Sequence, residues 1–304
     1  MLYRPEAPGD WGQMLESDTI KTATEMLKTS DECNLFLRSW ITDSSDVLLI
    51  LHGLGAHSGW FIDMGNKLAS QVMNICAMDH RGFGRSGGLP GHIDNYHTYV
   101  DDINLIITTI RKRHPEAAIH ILGHSMGAIF ASHFAATYGN TLASVLFLNP
   151  WIQDTTKTSI LTTIAILFGG LFKSHRYWQV AGGTEVMTTN PEAIQMLDAD
   201  PYWRRKQTAS FLFQIFLLRQ AALKKAKHIT NPALVMQAEA DKAVVHEASH
   251  NLYETLASTD KTWKTYPGYA HDSEFEADRS LMDNDVVTWI SEHSIHVASS
   301  KVAQ

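Results

Sequence analysis

The amino-acid sequence predicts an α/β protein with a mostly parallel central sheet. Three observations carry that reading. Short apolar runs recur at residues 47–51, 74–78, 119–122, 145–148, 233–236 and around 262–266, as strands buried on both faces require. Helical patterns lie between them, and strands alternating with helices are the mark of crossover connections. Finally, Gly123-His124-Ser125-Met126-Gly127 sits between an apolar run and the helical stretch that opens Ala128-Ile129-Phe130. That is a sharp strand–turn–helix junction carrying a serine.

The first stretch, 23–41, reads as two strands around Ser30-Asp31-Glu32, most simply a hairpin. Val100, Ile103, Ile107 and Ile110 recur at spacings of three and four, one face of a helix that ends before Pro115. Val286, Val287 and Ile290 mark a final helix. The rhythm breaks from Trp151 to Lys225. That interval is too long for an ordinary connection and has helical runs of its own, at 159–167 and 208–227, so it reads as an inserted cap. Residues 1–150 and 226–304 then form the core. Within the cap, 160–172 is the most apolar segment of the chain. It is too short to span a bilayer. A buried cap helix is the first expectation for it. An exposed apolar rim that admits lipid-like substrates or touches a membrane is the alternative.

Composition narrows the function classes. A chain of 304 residues with 44% hydrophobic and 19% charged residues can bury a sizeable core. The net charge of -7, from 25 basic and 32 acidic residues, leaves no basic footprint for nucleic acid. It gives no support to electrostatic docking on anionic lipid either. Two cysteines, Cys33 and Cys76, are too few for a disulfide framework, and Cys76 lies in a strand-like run as a small core residue. Met1-Leu2-Tyr3-Arg4-Pro5-Glu6 lacks the basic-then-apolar order of a signal peptide. The expectation is a cytoplasmic protein, with attachment to a membrane surface left open.

The serine junction points to nucleophilic catalysis. A serine hydroxyl needs a base within hydrogen-bond reach and a third group to orient that base. On the α/β-hydrolase scaffold the chain order is serine, then acid, then histidine, and this chain offers it. Asp241 follows the strand at 233–236, at the carboxyl end where sites in such sheets are built. Glu239 is its nearest rival. His271 follows the last strand in Pro267-Gly268-Tyr269-Ala270-His271 and precedes the final helix, which singles it out among 16 histidines as the general base. The oxyanion donors are assigned to the backbone N–H groups of Leu54, in Leu51-His52-Gly53-Leu54-Gly55, and of Met126. Asp79-His80-Arg81-Gly82-Phe83-Gly84-Arg85-Ser86 is a tight loop near the site, with Asp79 and Arg81 expected to hold it by charge pairing. His246 and His250 have helical ligand spacing, but no third ligand and no His-Glu-x-x-His arrangement accompany them. They read as a solvated helix face. No metal and no cofactor are expected.

Taken together, residues 52–59, 79–86 and 123–127, with Asp241, His271 and the stretch from Asn190-Pro191 to Asp200-Pro201, resemble monoacylglycerol lipases and related lysophospholipases. These are serine hydrolases of the S33 aminopeptidase type. The resemblance runs from about residue 20 to about residue 292. It implies an α/β-hydrolase fold with a helical cap, and hydrolysis of a carboxylic ester through an acyl-enzyme formed on Ser125, with His271 as base and Asp241 orienting it. It implies no cofactor and a small lipid ester as the partner molecule. Monoacylglycerols or lysophospholipid-like esters are the first expected substrates. Two positions depart from the pattern. Ala128 stands where a second glycine is expected, and Glu239 where a small residue is expected.

Other chemistries share the scaffold. A short-chain carboxylesterase, a thioesterase and a proline iminopeptidase-like enzyme would use the same residues. An acyltransferase would intercept the acyl-enzyme with another alcohol. A ligand-binding protein that keeps the triad without turnover is the remaining alternative. Dehalogenase and epoxide hydrolase chemistry would need an aspartate at position 125.

Overall fold

The computed structural model describes residues 12–71, 73–155, 159–179 and 183–294, so the opening Met1 to Glu6 segment read above lies outside the described residues. The chain opens with β1 (Lys21–Lys28), β2 (Asn34–Ile41) and β3 (Asp46–Leu51). Then come α1 (Ile62–Ala69), β4 (Asn74–Met78), α2 (His97–Arg113), β5 (Ala118–His124), α3 (Met126–Tyr138) and β6 (Ser144–Leu148). A long insertion holds α4 (Ile160–Leu171), β7 (Tyr177–Gln179), α5 (Thr184–Met187), α6 (Pro191–Ala199), β8 (Lys206–Thr208) and α7 (Ala209–Ala226). The chain closes with β9 (Ala233–Ala238), α8 (His246–Thr255), β10 (Lys261–Tyr266) and α9 (Ser280–Glu292).

Eight strands form one sheet in the order β1-β2-β4-β3-β5-β6-β9-β10. The six runs are its six parallel strands. β10 departs from the expected burial on both faces, because it lies at the sheet edge and only Tyr266 is buried. The hairpin pairs Lys21 with Ile41 through to Lys28 with Asn34, and β2 joins β4 antiparallel. Strand β1 begins before residue 23, where the sequence pattern placed it. As an edge strand it alternates exposed and half-buried residues and so has no apolar run to announce its start.

Successive residues of β3 serve opposite faces, as the two-residue period of a strand demands. Leu49 and Leu51 pack with α2 and α3. Leu48 and Ile50 pack with α1 and α9. The predicted face of α2, Val100, Ile103, Ile107 and Ile110, is buried, and three basic residues at its last turn oppose the helix dipole. Val286 and Ile290 bury α9. Cys76 is a buried free thiol.

The insertion divides into two kinds of helix. On α7, Phe211, Ile215, Leu218 and Ala222 are buried in the same cluster as α3. On α4 the expectation of burial fails. Ile160, Leu161 and Phe172 are 78%, 80% and 71% exposed, and Ile164, Phe168 and Leu171 are exposed with them. The reason is steric. The helix meets its support through Gly169 and Gly170, where an added Cβ would strike Ala209 and Phe213. A helix apolar all round cannot bury its outer faces against one neighbour. Among the described residues no helix is long and apolar enough to cross a membrane.

The loop after β4 also differs from expectation. Arg81 does not pair with Asp79. Its guanidinium forks onto Asp102 of α2, at 3.0 and 2.8 Å, and onto Asp31 of the hairpin turn, at 2.5 and 3.0 Å. Asp79 instead accepts from the backbone N–H groups of Ser58 and Arg85. A turn offers unpaired N–H donors within reach of a short carboxylate. The long fork of Arg81 reaches acids on two other elements. Burial pushes the Asp102 carboxyl up, against the pull of Arg81. Arg81→Ala would strand that buried carboxylate, so a loss of about 3 kcal/mol is expected in urea denaturation. Asp31→Ala, at an exposed partner, should cost under about 1 kcal/mol.

Candidate active site

Ser125 stands between β5 and α3 with φ 53° and ψ -110°, a conformation that side-chain-bearing residues rarely adopt. The neighbouring glycines make the turn possible. A Cβ on Gly123 would meet the backbone of Gly127, and one on Gly127 would meet the carbonyl of Leu51. Ser125 N–H donates to the Leu148 carbonyl at 2.9 Å, which ties the turn to the end of β6. Ala128 is fully buried just behind, so the methyl at this departure from the family pattern is packed.

The loop after β10 brings His271 to the serine. Its Nε2 lies 2.9 Å from Ser125 Oγ and its Nδ1 2.7 Å from Asp241 Oδ2. Asp241 is fixed from its other side, where Oδ1 accepts from the N–H groups of Ala243 at 2.7 Å and Val244 at 3.1 Å. Glu239, the rival acid, is exposed. Nδ1–H donating to Asp241 leaves the Nε2 lone pair for the serine proton, the tautomer a general base needs. Burial opposes the charged imidazole, but the Asp241 carboxylate more than offsets it and raises the His271 pKa to about 9. Burial would raise the Asp241 carboxyl, but the His271 imidazole and the two N–H donors bring it below the ordinary range.

Leu54 lines the cavity with Gly53 and Ser125. Met126 is the first residue of α3, and a first-turn N–H has no acceptor inside its own helix. The Leu54 loop is held by histidines. His52 Nδ1–H donates to the Gly53 carbonyl at 2.8 Å and its Nε2 accepts from His80 N–H at 2.9 Å. Burial lowers the His52 pKa to about 4, so the ring stays neutral. The insertion grips the same loop. Arg204 N–H donates to the Gly55 carbonyl at 2.9 Å, and His57 Nε2–H donates to Asp200 Oδ2 at 2.9 Å.

Sequence reasoning missed Asn149. It follows β6 at φ 45° and is fully buried. Its Nδ2 donates to the His271 carbonyl at 2.6 Å and to Ser273 Oγ at 2.9 Å, while its Oδ1 accepts from Ala238 N–H at 2.7 Å. One amide therefore ties the histidine loop to the end of β9. Asn149-Pro150 after a buried run reads as an ordinary turn, so the sequence carried no signal for this role.

His124, His271 and Asp272 are the grouping of metal-ligand types found within reach of one another among the described residues. Three of their four ring nitrogens are engaged, His124 Nδ1 being the exception. His124 Nε2–H donates to the His271 carbonyl at 3.0 Å, and His271 faces Asp241 and Ser125. His246 and His250 lie on α8, half-buried and exposed, with His250 paired to Glu254.

The cavity over Ser125 has a volume of about 160 Å³. Its wall is largely apolar, with Trp60, Trp151, Val186, Met187 and Val244, and polar atoms at Asp154, Thr155 and Lys242. A hydrolase family model described as serine aminopeptidase, S33, matches residues 42–278. The chain belongs to the S33 serine hydrolase family. Within this family's range of relatives, a monoacylglycerol lipase of Mycolicibacterium smegmatis is 27% identical over 254 residues, covering 83% of this chain and 90% of that protein. A monoglyceride lipase of Mus musculus is 27% identical over 282 residues, covering 90% and 92%. The crystal structure of a Paleococcus ferrophilus monoacylglycerol lipase superposes with a TM-score of 0.79 at 23% identity, covering 86% of this chain and 99% of that one. The fold is the α/β-hydrolase fold.

Asn149→Ala should leave the sheet intact and lower kcat about 100-fold, because small misplacement of a base is costly. Steady-state kinetics beside a near-unchanged far-UV spectrum is the check. For the pH dependence, His271 must be unprotonated to act, so activity should rise through its pKa, above the ordinary value near 6.5. Asp241→Asn should move that rising limb to lower pH while cutting kcat by about 10⁴-fold.

Proposed function

We propose that this S33 hydrolase cleaves carboxylic esters of single-chain lipids, with monoacylglycerols as the first substrate class and lysophospholipids as the second. The observation that carries it is the hydrogen-bonded series Ser125, His271, Asp241 at the floor of a largely apolar cavity. The names of the relatives point the same way.

The chemistry follows from the geometry. Ser125 Oγ attacks the ester carbonyl as His271 Nε2 takes its proton. Asp241 stabilises the imidazolium so formed. The N–H groups of Leu54 and Met126 receive the oxyanion. The C–O bond breaks and the departing alcohol takes the proton from His271. Water then gives a proton to His271 and its oxygen to the acyl carbon, releasing the fatty acid and restoring Ser125. The apolar wall suits the acyl chain, and Asp154, Thr155 and Lys242 suit a small hydroxylated alcohol. The test is an ester series from p-nitrophenyl acetate to long-chain monoacylglycerol, with proline p-nitroanilide alongside, for wild type and Ser125→Ala. Turnover should rise with chain length and fall by several orders of magnitude in the variant. Turnover confined to the anilide or to acetate would overturn the lipid reading.

Residues 151–225 act in this reading as the cap, and α4 as its contact with a membrane surface. Support comes from the exposed Leu161, Ile164, Phe168 and Phe172, a patch of the kind that marks lipid or protein contact. The free thiols Cys33 and Cys76 fit a cytoplasmic setting. Replacing Leu161 and Phe172 together by aspartate should abolish flotation with zwitterionic vesicles and leave p-nitrophenyl acetate hydrolysis unchanged. Equal flotation of variant and wild type would rule the contact out.

A further inference from the structure

Beneath the catalytic imidazole lies a second set of ionisable groups that the ester mechanism does not use. His124, Asp272 and Glu274 are 1%, 2% and 2% exposed. Because His124 Nε2–H donates to the His271 carbonyl, the lone pair of a neutral ring sits on Nδ1. That nitrogen faces Glu274 Oε1 at 3.7 Å, and Asp272 Oδ1 lies 3.6 Å from Nε2. Glu274 Oε1 and Oε2, Asp272 Oδ2 and His124 Nδ1 are buried with no hydrogen-bond partner. An ionised Glu274 would aim one lone pair at another across that 3.7 Å gap. A proton on either side removes that conflict, and unsatisfied buried atoms of this kind call for such an explanation.

Every charged neighbour has other commitments. Arg279 uses Nη1 on the Glu274 carbonyl and its other nitrogens on Asp63 and Asp283. Glu276 accepts from Ala270 N–H, and Asp241 holds His271 Nδ1. So the proton count of the cluster is set by burial and by His271, not by a fixed counter-ion.

We propose that Glu274, Asp272 and His124 form a proton-holding cluster that sets the charge behind His271, with Glu274 carrying the proton toward His124 Nδ1 and Asp272 sharing the role at the cavity wall. The inference rests on His271 acting as the base. Burial raises both carboxyls to about 7 and lowers His124 to about 4, so near neutrality the proton resides on the acids. As pH rises the acids ionise and hold the His271 imidazolium more tightly. The rising limb of activity is therefore later and broader than one imidazole alone would give, as coupled groups require. Glu274 and Asp272 are positioning residues for charge; neither touches the ester.

Stability carries a matching signature. For a carboxyl whose folded pKa is raised, the folded state holds more protons than the unfolded state between the ordinary value near 4.5 and about 7. Stability is full below that window and is lost as pH rises through it.

The experiment measures kcat/KM against pH on p-nitrophenyl butyrate for wild type, Ser125→Ala, Glu274→Gln and Asp272→Asn, with Tm at each pH. The amide introduced by Glu274→Gln offers an N–H donor to His124 Nδ1 in place of the O–H of the protonated carboxyl. Both acid variants should move the rising limb of kcat/KM down by about one unit and lose part of the fall in Tm between pH 5 and 8. An unchanged limb and an unchanged Tm slope in variants that retain Ser125-dependent turnover would overturn the cluster while leaving the ester mechanism intact. Turnover in Ser125→Ala equal to wild type would overturn the mechanism itself, and the Tm slopes would still judge the cluster. If Glu274→Gln fails to fold, Asp272→Asn carries both readouts.

Discussion

The site is organised by the backbone of Ser125, which is held at φ 53° and ψ -110° against its own preference. Such a conformation costs about 1–3 kcal/mol and persists only where the surroundings over-determine it. Here they do. The serine N–H is spent on Leu148 of β6, and its carbonyl accepts from Ala128 in α3 and from Trp151 at the start of the insertion. Gly123 and Gly127 let β3, β5 and α3 close to backbone contact. Strain at one residue is thus set against the packing of a sheet buried on both faces. The same contacts fix where the insertion leaves the sheet, and so where the cavity wall at Trp151 and Asp154 stands.

A second requirement follows from putting this chemistry in a dry place. Polar groups there need partners from the protein. Asn149 meets it with three hydrogen bonds, and His52 meets it with two at the Leu54 loop. The same exclusion of water strengthens the Asp241–His271 pair, since low dielectric enlarges every remaining charge interaction. Satisfaction is incomplete at several buried atoms, His80 Nδ1 and Gln237 Oε1 among them, and most concentrated at His124, Asp272 and Glu274, which hold four such atoms together. Those four lie directly beneath the histidine that must change charge during turnover. Incomplete pairing at that place leaves the electrostatic setting adjustable where a closed network would freeze it.

The sequence made β3, β4, β5, β6 and β9 legible because burial on both faces leaves uninterrupted apolar runs, and Ser125 and Asp241 follow two of them. His271 follows the half-exposed edge strand β10, where position in the chain order was the signal. What escaped it depends on contacts distant in sequence. Arg81 reaches Asp31 and Asp102 through tertiary placement that spacing does not encode. Asn149 looks like a turn residue until the loop bearing His271 is seen against it. Glu274 sits in a polar stretch, His271-Asp272-Ser273-Glu274, whose composition suggests a solvated loop, yet the stretch is buried beneath the elbow. Apolarity itself misled at α4, since hydrophobic content predicts burial only where a partner surface exists.

The two helices that bound the insertion show how one segment can be both anchored and available. Phe211, Ile215 and Leu218 bind α7 to the core, and each such side chain contributes about 1.5–3 kcal/mol by leaving water. α4 contributes little of that kind, because its buried contact is made by glycines. Its large side chains remain in water at a standing cost that any apolar covering would relieve. That imbalance places the unpartnered surface on the insertion, the same segment that lends Trp151, Val186 and Met187 to the apolar cavity wall. In the proposed reading, a lipid ester leaves an apolar bilayer for a cavity whose wall is again largely apolar.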